Sequence, residues 1–366
     1  ILLKNQTAEG LHALLEPLGV NPRQARQIQS SVFRTGKLPM SLAGLVEKKM
    51  KPVHEAVRIP RLTLVEKVVS AQDGFAKYLF RGDGPEVFEA VRIPILHRPE
   101  DRKYIVCVSS QAGCALGCAF CFTAHAGFQR NLATWEIVDQ VVRIRDDSDL
   151  PVRGVVFMGM GEPLLNYDAV IEAARIMSEP SALSICGKSI TISTAGIVPG
   201  IRRLTAERCS FRLIVSLTAA NPQLRRELMP VEKMHSSAKL MEALRERHQA
   251  TGKRTTLAWT MIAGVNTGEE DARQLAELTR GLPIHLDLID VNDPTGRFRP
   301  PSPEELTAFR DALRRHVAAP FGRRYSGGKE IHAACGMLAG KTSGELAGPA
   351  TRGSSRQGKP GVPGLE

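Results

Sequence analysis

The sequence predicts an α/β fold built on a parallel sheet, with a small helical domain ahead of it. From about residue 100 to 290, strand-like apolar runs alternate with helical patterns in six βα units, whereas residues 1–60 carry helical patterns only. Polar and glycine-rich motifs also cluster just after the strand-like runs, the edge at which α/β barrels place their sites.

In chain order, residues 1–60 read as helices over Thr7–Leu18, Asn21–Phe33 (with Pro22 in its first turn) and Ser41–Met50. Arg23, Arg26 and Lys37 make this accessory domain basic, and it is expected to contact RNA. Residues 61–100 form a β-rich connector with a Gly-Asp-Gly turn at 82–84. The hexapeptide Glu-Ala-Val-Arg-Ile-Pro occurs at Glu55–Pro60 and again at Glu89–Pro94, without flanking similarity that would make it a repeat. Residues 101–340 are the main domain. Its strands are predicted at Tyr104–Ser110, Gly154–Gly159, Ser189–Thr194, Phe211–Leu217, Thr255–Ile262 and Ile284–Val291. Between them, helices are predicted at Thr134–Arg145, Asp168–Met177, Ser236–Thr251 and Glu269–Arg280. Residues 341–366, rich in Gly, Pro, Ser and Lys without apolar periodicity, are expected to be a disordered tail.

A chain of 366 residues holds one large domain and a smaller one. No apolar run reaches the roughly 20 residues that span a bilayer, and the N-terminus has no signal-peptide pattern. No membrane partner is therefore expected, and the chain is read as a monomer. Seven cysteines, an odd number with four bunched, suit a reducing cytoplasm better than a disulfide framework. The net charge of +11 would favour encounter with a polyanion such as RNA. Aromatics, at 5%, are too sparse for a surface of stacked single-strand bases.

The most informative run is Cys114-Ala-Leu-Gly-Cys118-Ala-Phe-Cys121. Iron–sulfur clusters are normally held by four thiolates. Three in one loop would leave one iron of a cubane open to a substrate or cofactor. A zinc site from Cys107, Cys114, Cys118 and Cys121 is the alternative, although zinc sites usually pair two short clips across a longer gap. Cys-x3-Cys-x2-Cys with Phe120 before the last cysteine resembles the radical S-adenosylmethionine (SAM) enzymes. That resemblance implies a partial (β/α)6 barrel and a 4Fe-4S cluster held by Cys114, Cys118 and Cys121. It also implies SAM chelated at the open iron and cleaved by one electron to a 5′-deoxyadenosyl radical.

Other motifs sit at the same edges. Gly159-Met-Gly161-Glu162-Pro163 lets backbone approach a ligand, and Glu162 can accept from an ammonium group. In isolation a tight βα turn with an incidental acid reads equally well. Ser193-Thr-Ala-Gly196, Ser216-Leu217-Thr218 and Asn292 offer polar groups at three further edges, although a lone Ser at a strand end is usually a helix cap. Cys335, in Ile331-His-Ala-Ala-Cys335-Gly336, follows Arg323, Arg324 and Lys329, which favour a thiolate. Without them it would read as a small apolar residue, as Cys186 and Cys209 do.

Four runs together resemble the RlmN and Cfr family of radical SAM RNA adenine methyltransferases. They are Cys107-Val-Ser-Ser-Gln-Ala-Gly-Cys114 through Gly127-Phe-Gln-Arg-Asn-Leu132, Phe157-Met-Gly-Met-Gly-Glu-Pro-Leu-Leu-Asn166, Ser193-Thr-Ala-Gly-Ile-Val-Pro199 and Ala334-Cys-Gly-Met-Leu-Ala-Gly340. The resemblance implies methylation of an adenine ring carbon, C2 ahead of C8, in ribosomal or transfer RNA, using two SAM molecules per turnover. Cys335 would carry the methyl as S-methylcysteine, and Cys107 would resolve the RNA adduct, ending in a transient disulfide with Cys335. An external electron donor and a disulfide reductant are then needed. Glu89 matches the family's proton acceptor, and Gly161, Glu162, Ser193, Ser216, Leu217, Thr218 and Asn292 its SAM-binding positions. Two stretches depart from the pattern: Thr218 stands where the family usually has His, and Asp290–Arg297 lacks the hydrophobic, proline-rich form. Outside this reading remain a radical SAM enzyme on a non-RNA substrate and a zinc-stabilised RNA-binding protein without catalysis.

Overall fold

The apolar runs become the centre of one ten-stranded sheet in the computed structural model, which describes residues 1–96, 99–293 and 295–346. Its strands are β1 (Thr63–Val69), β2 (Ala76–Arg81), β3 (Val87–Ile95), β4 (Lys103–Cys107), β7 (Val152–Phe157), β8 (Ile190–Thr194), β9 (Arg212–Ser216), β10 (Thr255–Met261), β11 (Ile284–Asp290) and β12 (Phe321–Arg324). A separate hairpin pairs β5 (Gln111–Gly113) with β6 (Phe128–Asn131). The large sheet runs β1-β2-β3-β4-β7-β8-β9-β10-β11-β12. The three pairs from β1 to β4 are antiparallel, whereas every pair from β4 to β12 is parallel. The two edges do not pair with each other, so this is a partial barrel with helices on its outer face.

The sheet is larger than predicted at both ends. The connector strands β1–β3 extend the parallel sheet rather than standing beside it, through the β3–β4 register Val91↔Cys107 to Ile95↔Lys103. A seventh parallel strand, β12, adds to the six predicted ones. Helices at Val198–Ala206, Pro222–Leu228 and Pro303–His316 fill crossovers that the periodicity did not mark. The third N-terminal helix spans Glu47–Ala56 instead of Ser41–Met50, because Leu42 and Leu45 bridge to each other in a turn. In the segment expected to be a disordered tail, Ser343–Leu346 is a short helix, and 347–366 lies outside the described residues.

The N-terminal helices are fixed to the barrel by buried polar links. Lys4 pairs with Asp139 of the helix Thr134–Asp146, both essentially inaccessible, and Asp139 also accepts from the Leu62 amide at 2.7 Å. Asn5 caps the same helix through Trp135 N at 2.7 Å, and Glu179 accepts from Ala8 N and Gln29 Nε2, each at 2.9 Å. Such pairs add little net stability but fix one docking geometry. Among the described residues no helix is long and apolar enough to cross a membrane.

Candidate active site

The hairpin β5–β6 closes the base of the cysteine loop. Cys114 N donates to Gly127 O at 3.0 Å, directly beside the strands. Gly113 sits there at φ +75°, where a Cβ would stand 1.8 Å from Gly127 O, so no other residue fits without opening the hairpin. The loop turns through Cys121 N→Cys118 O at 3.1 Å and is tied to the helix Pro222–Leu228 by Ala119 N→Leu228 O at 2.9 Å. Cys114, Cys118 and Cys121 all line one cavity of about 180 Å³ at the C-terminal ends of the parallel strands. Burial holds their thiols neutral: Cys114 is pushed up to about 11, and Cys118 and Cys121 are raised as well. Metal binding would take those protons off. Among the described residues no three His, Cys, Asp or Glu side chains converge as ligands of a single ion.

Gly161, Glu162, Ser193, Ser216 and Asn292 line the same cavity. Leu217 and Thr218 do not. Thr218 is wholly buried at φ +61°, a strained conformation for a β-branched residue, with its Oγ1 unpartnered and its carbonyl accepting from Asn266 at 2.8 Å. The Glu162 carboxylate accepts from Leu164 N at 3.0 Å and Ala195 N at 2.8 Å, linking the ends of β7 and β8. Burial nevertheless pushes its carboxyl up to about 7.

Cys335 reaches this place through four separate holds. Phe122 N donates to Gly336 O at 2.7 Å, and Thr123 Oγ1 donates to Leu338 O at 2.7 Å, so the segment runs against the end of the cysteine loop. Gly336, at φ +84° and with a Cβ position 3.3 Å from Phe120 O, permits that approach. Cys335 N donates to Ser326 Oγ at 3.0 Å, and Asn292 Nδ2 donates to Cys335 O at 3.3 Å. Further on, Ala339 N and Gly340 N donate to Glu89 Oε2 at 2.7 and 2.9 Å.

Cys107 and Cys335 line a second cavity of about 460 Å³, walled by Phe75, Val91, Ile93, Ile105 and Met158, with Arg324 and Tyr325 among its lining residues. Cys121 and Cys335 line both cavities, so the two adjoin. Cys335 is exposed, while Cys107 is buried and its thiol pushed up to about 12 by burial and by the neighbouring Cys335. Cys107 does not line the cavity of Cys114 and Cys118, an arrangement that favours a three-cysteine set over four zinc ligands.

Glu89 lines neither cavity. It is fully buried on β3, with the Lys77 ammonium 3.0 Å from Oε1 but off the hydrogen-bond direction. Two contributors escaped the sequence reading. Arg225, fully buried, donates to Ala195 O at 2.7 Å and Leu217 O at 3.2 Å and pairs with Glu232 at 2.5 Å, joining two strand-edge loops beside the cysteine loop. An arginine in a short polar helix carries no signal of this. Ser326 likewise has no motif around it.

Residues 108–278 match the radical SAM superfamily, whose members take a 4Fe-4S cluster and SAM. Three thiols, one buried and two half-buried, with no other ligand type on the cysteine loop are a donor set that fits such a cluster. A "Probable RNA methyltransferase" of Myxococcus xanthus is 47% identical over 341 residues, covering 92% of this chain and 94% of that one. A "Dual-specificity RNA methyltransferase RlmN" of Syntrophobacter fumaroxidans is 39% identical over 342 residues, covering 92% and 98%. The crystal structure of a radical SAM methyltransferase from Sphaerobacter thermophilus superposes with a TM-score of 0.82 at 35% identity, covering 93% of this chain and all of that one. With identity at that level across nearly its whole length, the chain belongs to the RlmN-type RNA methyltransferases of the radical SAM superfamily.

Proposed function

We propose that the protein methylates a ring carbon of adenine in RNA, C2 ahead of C8, through a methyl group carried on Cys335. The observation that supports this most is that Cys107 and Cys335, distant in sequence, line one cavity that adjoins the cysteine loop. An sp2 carbon of adenine is too weak a nucleophile for polar methyl transfer, so a covalent route through the protein is required. When bound, at Cys114, Cys118 and Cys121 and the strand edges Gly161, Glu162, Ser193, Ser216 and Asn292, the cluster and SAM supply the methyl group and a one-electron route to a carbon radical.

The chain's own residues do the rest. Cys335, the exposed thiol, takes the methyl as a thioether and presents it to the apolar cavity, where an extruded adenine can enter. Cys107, held neutral by burial, resolves the resulting thioether-linked RNA and ends in a disulfide with Cys335, which an external reductant reopens. For Glu89 we favour positioning of the Cys335 segment over proton acceptance, because its Oε2 holds Ala339 N and Gly340 N and the residue lines neither cavity. Ribosomal RNA, transfer RNA or both are the substrates, in a reducing cytoplasm. Nucleoside mass spectrometry of RNA from a deletion strain tests the reading: loss of 2-methyladenosine is expected, and an unchanged methyladenosine profile would overturn it.

A further inference from the structure

Tyr325 is 73% exposed, more than any other large apolar or aromatic side chain among the described residues, yet it is not loose. It directly follows β12 and lines the cavity of Cys107 and Cys335. Its hydroxyl donates to Asp73 Oδ2 at 2.9 Å, and its ring meets Phe75 edge to face, with centroids 6.1 Å apart. Asp73 is itself held, since Oδ2 also accepts from Gly328 N at 2.8 Å and Oδ1 from Phe75 N at 3.3 Å. Nearby, Ser70 Oγ donates to the Glu330 carboxylate. The β1–β2 turn is thus tied to the segment after β12, joining regions next to the two edge strands of the sheet. Gly327 makes that closure possible, because a Cβ there would stand 2.5 Å from Phe75 Cε2 and 2.7 Å from Tyr325 Cε1.

An exposed phenol ordinarily rotates, and fixing it costs conformational entropy. Here the ring is fixed in one pose while most of its surface still meets water. Such a ring is organised for a flat partner that arrives later, not for the core. Its surroundings say which partner. The cavity behind it is apolar, walled by Phe75, Val91, Ile93 and Met158, and Arg324 adds a cation to the lining. A nucleotide supplies both complements, a flat base for the ring and a phosphate for the charge. Aromatics at 5% cannot pave a surface for single-stranded RNA, but a single base leaving its stack needs only one ring.

We propose that Tyr325 contacts the substrate, its ring being the platform on which the extruded adenine stacks at the mouth of the cavity. This rests on the proposed function and adds a substrate-binding residue to it. The test compares wild type, Tyr325→Phe, Tyr325→Leu and Tyr325→Ala, each reconstituted anaerobically, on total RNA from a deletion strain. Loss of one stacked base predicts that kcat/KM falls about 5- to 150-fold in Tyr325→Ala and Tyr325→Leu. Tyr325→Phe keeps the ring and should stay within about threefold of wild type. Methyl loading of Cys335 uses no RNA and should be unchanged in every variant. A ring that only braced the Cys335 segment would lower that loading too, and Tyr325→Leu, which keeps an apolar contact with Phe75, would then restore both.

A second measurement leaves Tyr325 itself untouched. In the Cys107→Ala protein, trimmed by nuclease to the single nucleotide joined to Cys335, the Tyr325 ring should be shielded from hydroxyl-radical oxidation. The reference is Cys107→Ala/Cys335→Ala, which carries no nucleotide, and cleavage after Lys329 separates the Tyr325 peptide from that of Cys335. Equal oxidation in the two proteins overturns the inference, while the adduct leaves the proposed function standing. So does a kcat/KM within about threefold of wild type in Tyr325→Ala and Tyr325→Leu, or a methyl load that falls in step with kcat/KM. A wild type that loads Cys335 but methylates no RNA sinks both readings.

Discussion

Replacing Glu89 by Ala probes how the segment bearing Cys335 is held. Glu89 is 0% and Lys77 2% exposed as side chains, so removing the carboxylate strands an ammonium in the interior. Breaking one side of a buried pair costs about 3–5 kcal/mol. The Ala339 and Gly340 amides lose their acceptor at the same time. If they stayed dry, each would add about 1–3 kcal/mol; the segment can instead lift and hydrate them, which turns that energy into local opening. We therefore expect E89A to lose about 3–5 kcal/mol in urea unfolding and its Cys335 to alkylate faster, by peptide mass spectrometry. E89Q, which keeps an acceptor for both amides, should slow alkylation back toward wild type. The double variant E89A/K77M should be more stable than E89A, because it removes the stranded charge. A loss below about 1 kcal/mol in E89A with unchanged Cys335 alkylation would refute the reasoning.

In the metal-free protein Glu162 should titrate near 7, read by carboxyl NMR, because burial raises it from the 4.5 of an exposed glutamate. The folded state then keeps a proton that the unfolded chain gives up, so the Glu162 contribution to stability is full below 4.5 and is lost as pH rises to about 7. E162Q should flatten that part of the stability profile. R225M should destabilise the protein by about 3–5 kcal/mol by orphaning buried Glu232. It should also lower the iron bound per chain after reconstitution; full iron loading would contradict the role given to Arg225. Lys48, Lys49 and Lys51 are exposed on the helix Glu47–Ala56. If that helix meets RNA phosphates, K48A/K49A/K51A should reduce the slope of log affinity against log salt by about 2. An unchanged slope would move the RNA surface elsewhere.

The six central strands were legible because they carry short, mostly buried apolar stretches, alternating with polar residues in β11, and end at polar or glycine residues. β12 was not: it is a short edge strand, Phe321–Arg324, with no apolar run of its own, and exists by pairing with β11. The helix Pro303–His316 does carry a readable start, since Ser302 and Glu305 form a capping box around Pro303. The hexapeptide Glu-Ala-Val-Arg-Ile-Pro shows where local reading stops. At Glu55–Pro60 it ends a helix and makes a single bridge through Arg58, whereas at Glu89–Pro94 it lies within β3. The identical residues diverge because only the second copy has β2 and β4 on either side.

The site was legible in proportion to how local it is. The cysteine loop is a motif within eight residues and needs only its hairpin to close. The link between Cys107 and Cys335 depends on Ser326, Asn292, Thr123 and Glu89, which come from four separate stretches of chain. The guanidinium of Arg225 becomes a site feature only after burial removes water from around it. Thr218, read as an edge residue, turns its side chain into the interior instead.

The central claim is that Cys335 carries the group transferred to adenine and that Cys107 releases the product. Expressing Cys107→Ala and analysing the Cys335 peptide by mass spectrometry after nuclease digestion tests it most directly. The account predicts an adenosine-bearing nucleotide joined to Cys335 through one methylene, absent from the Cys335→Ala protein. An iron-loaded Cys107→Ala protein whose Cys335 peptide carries no nucleotide would contradict it.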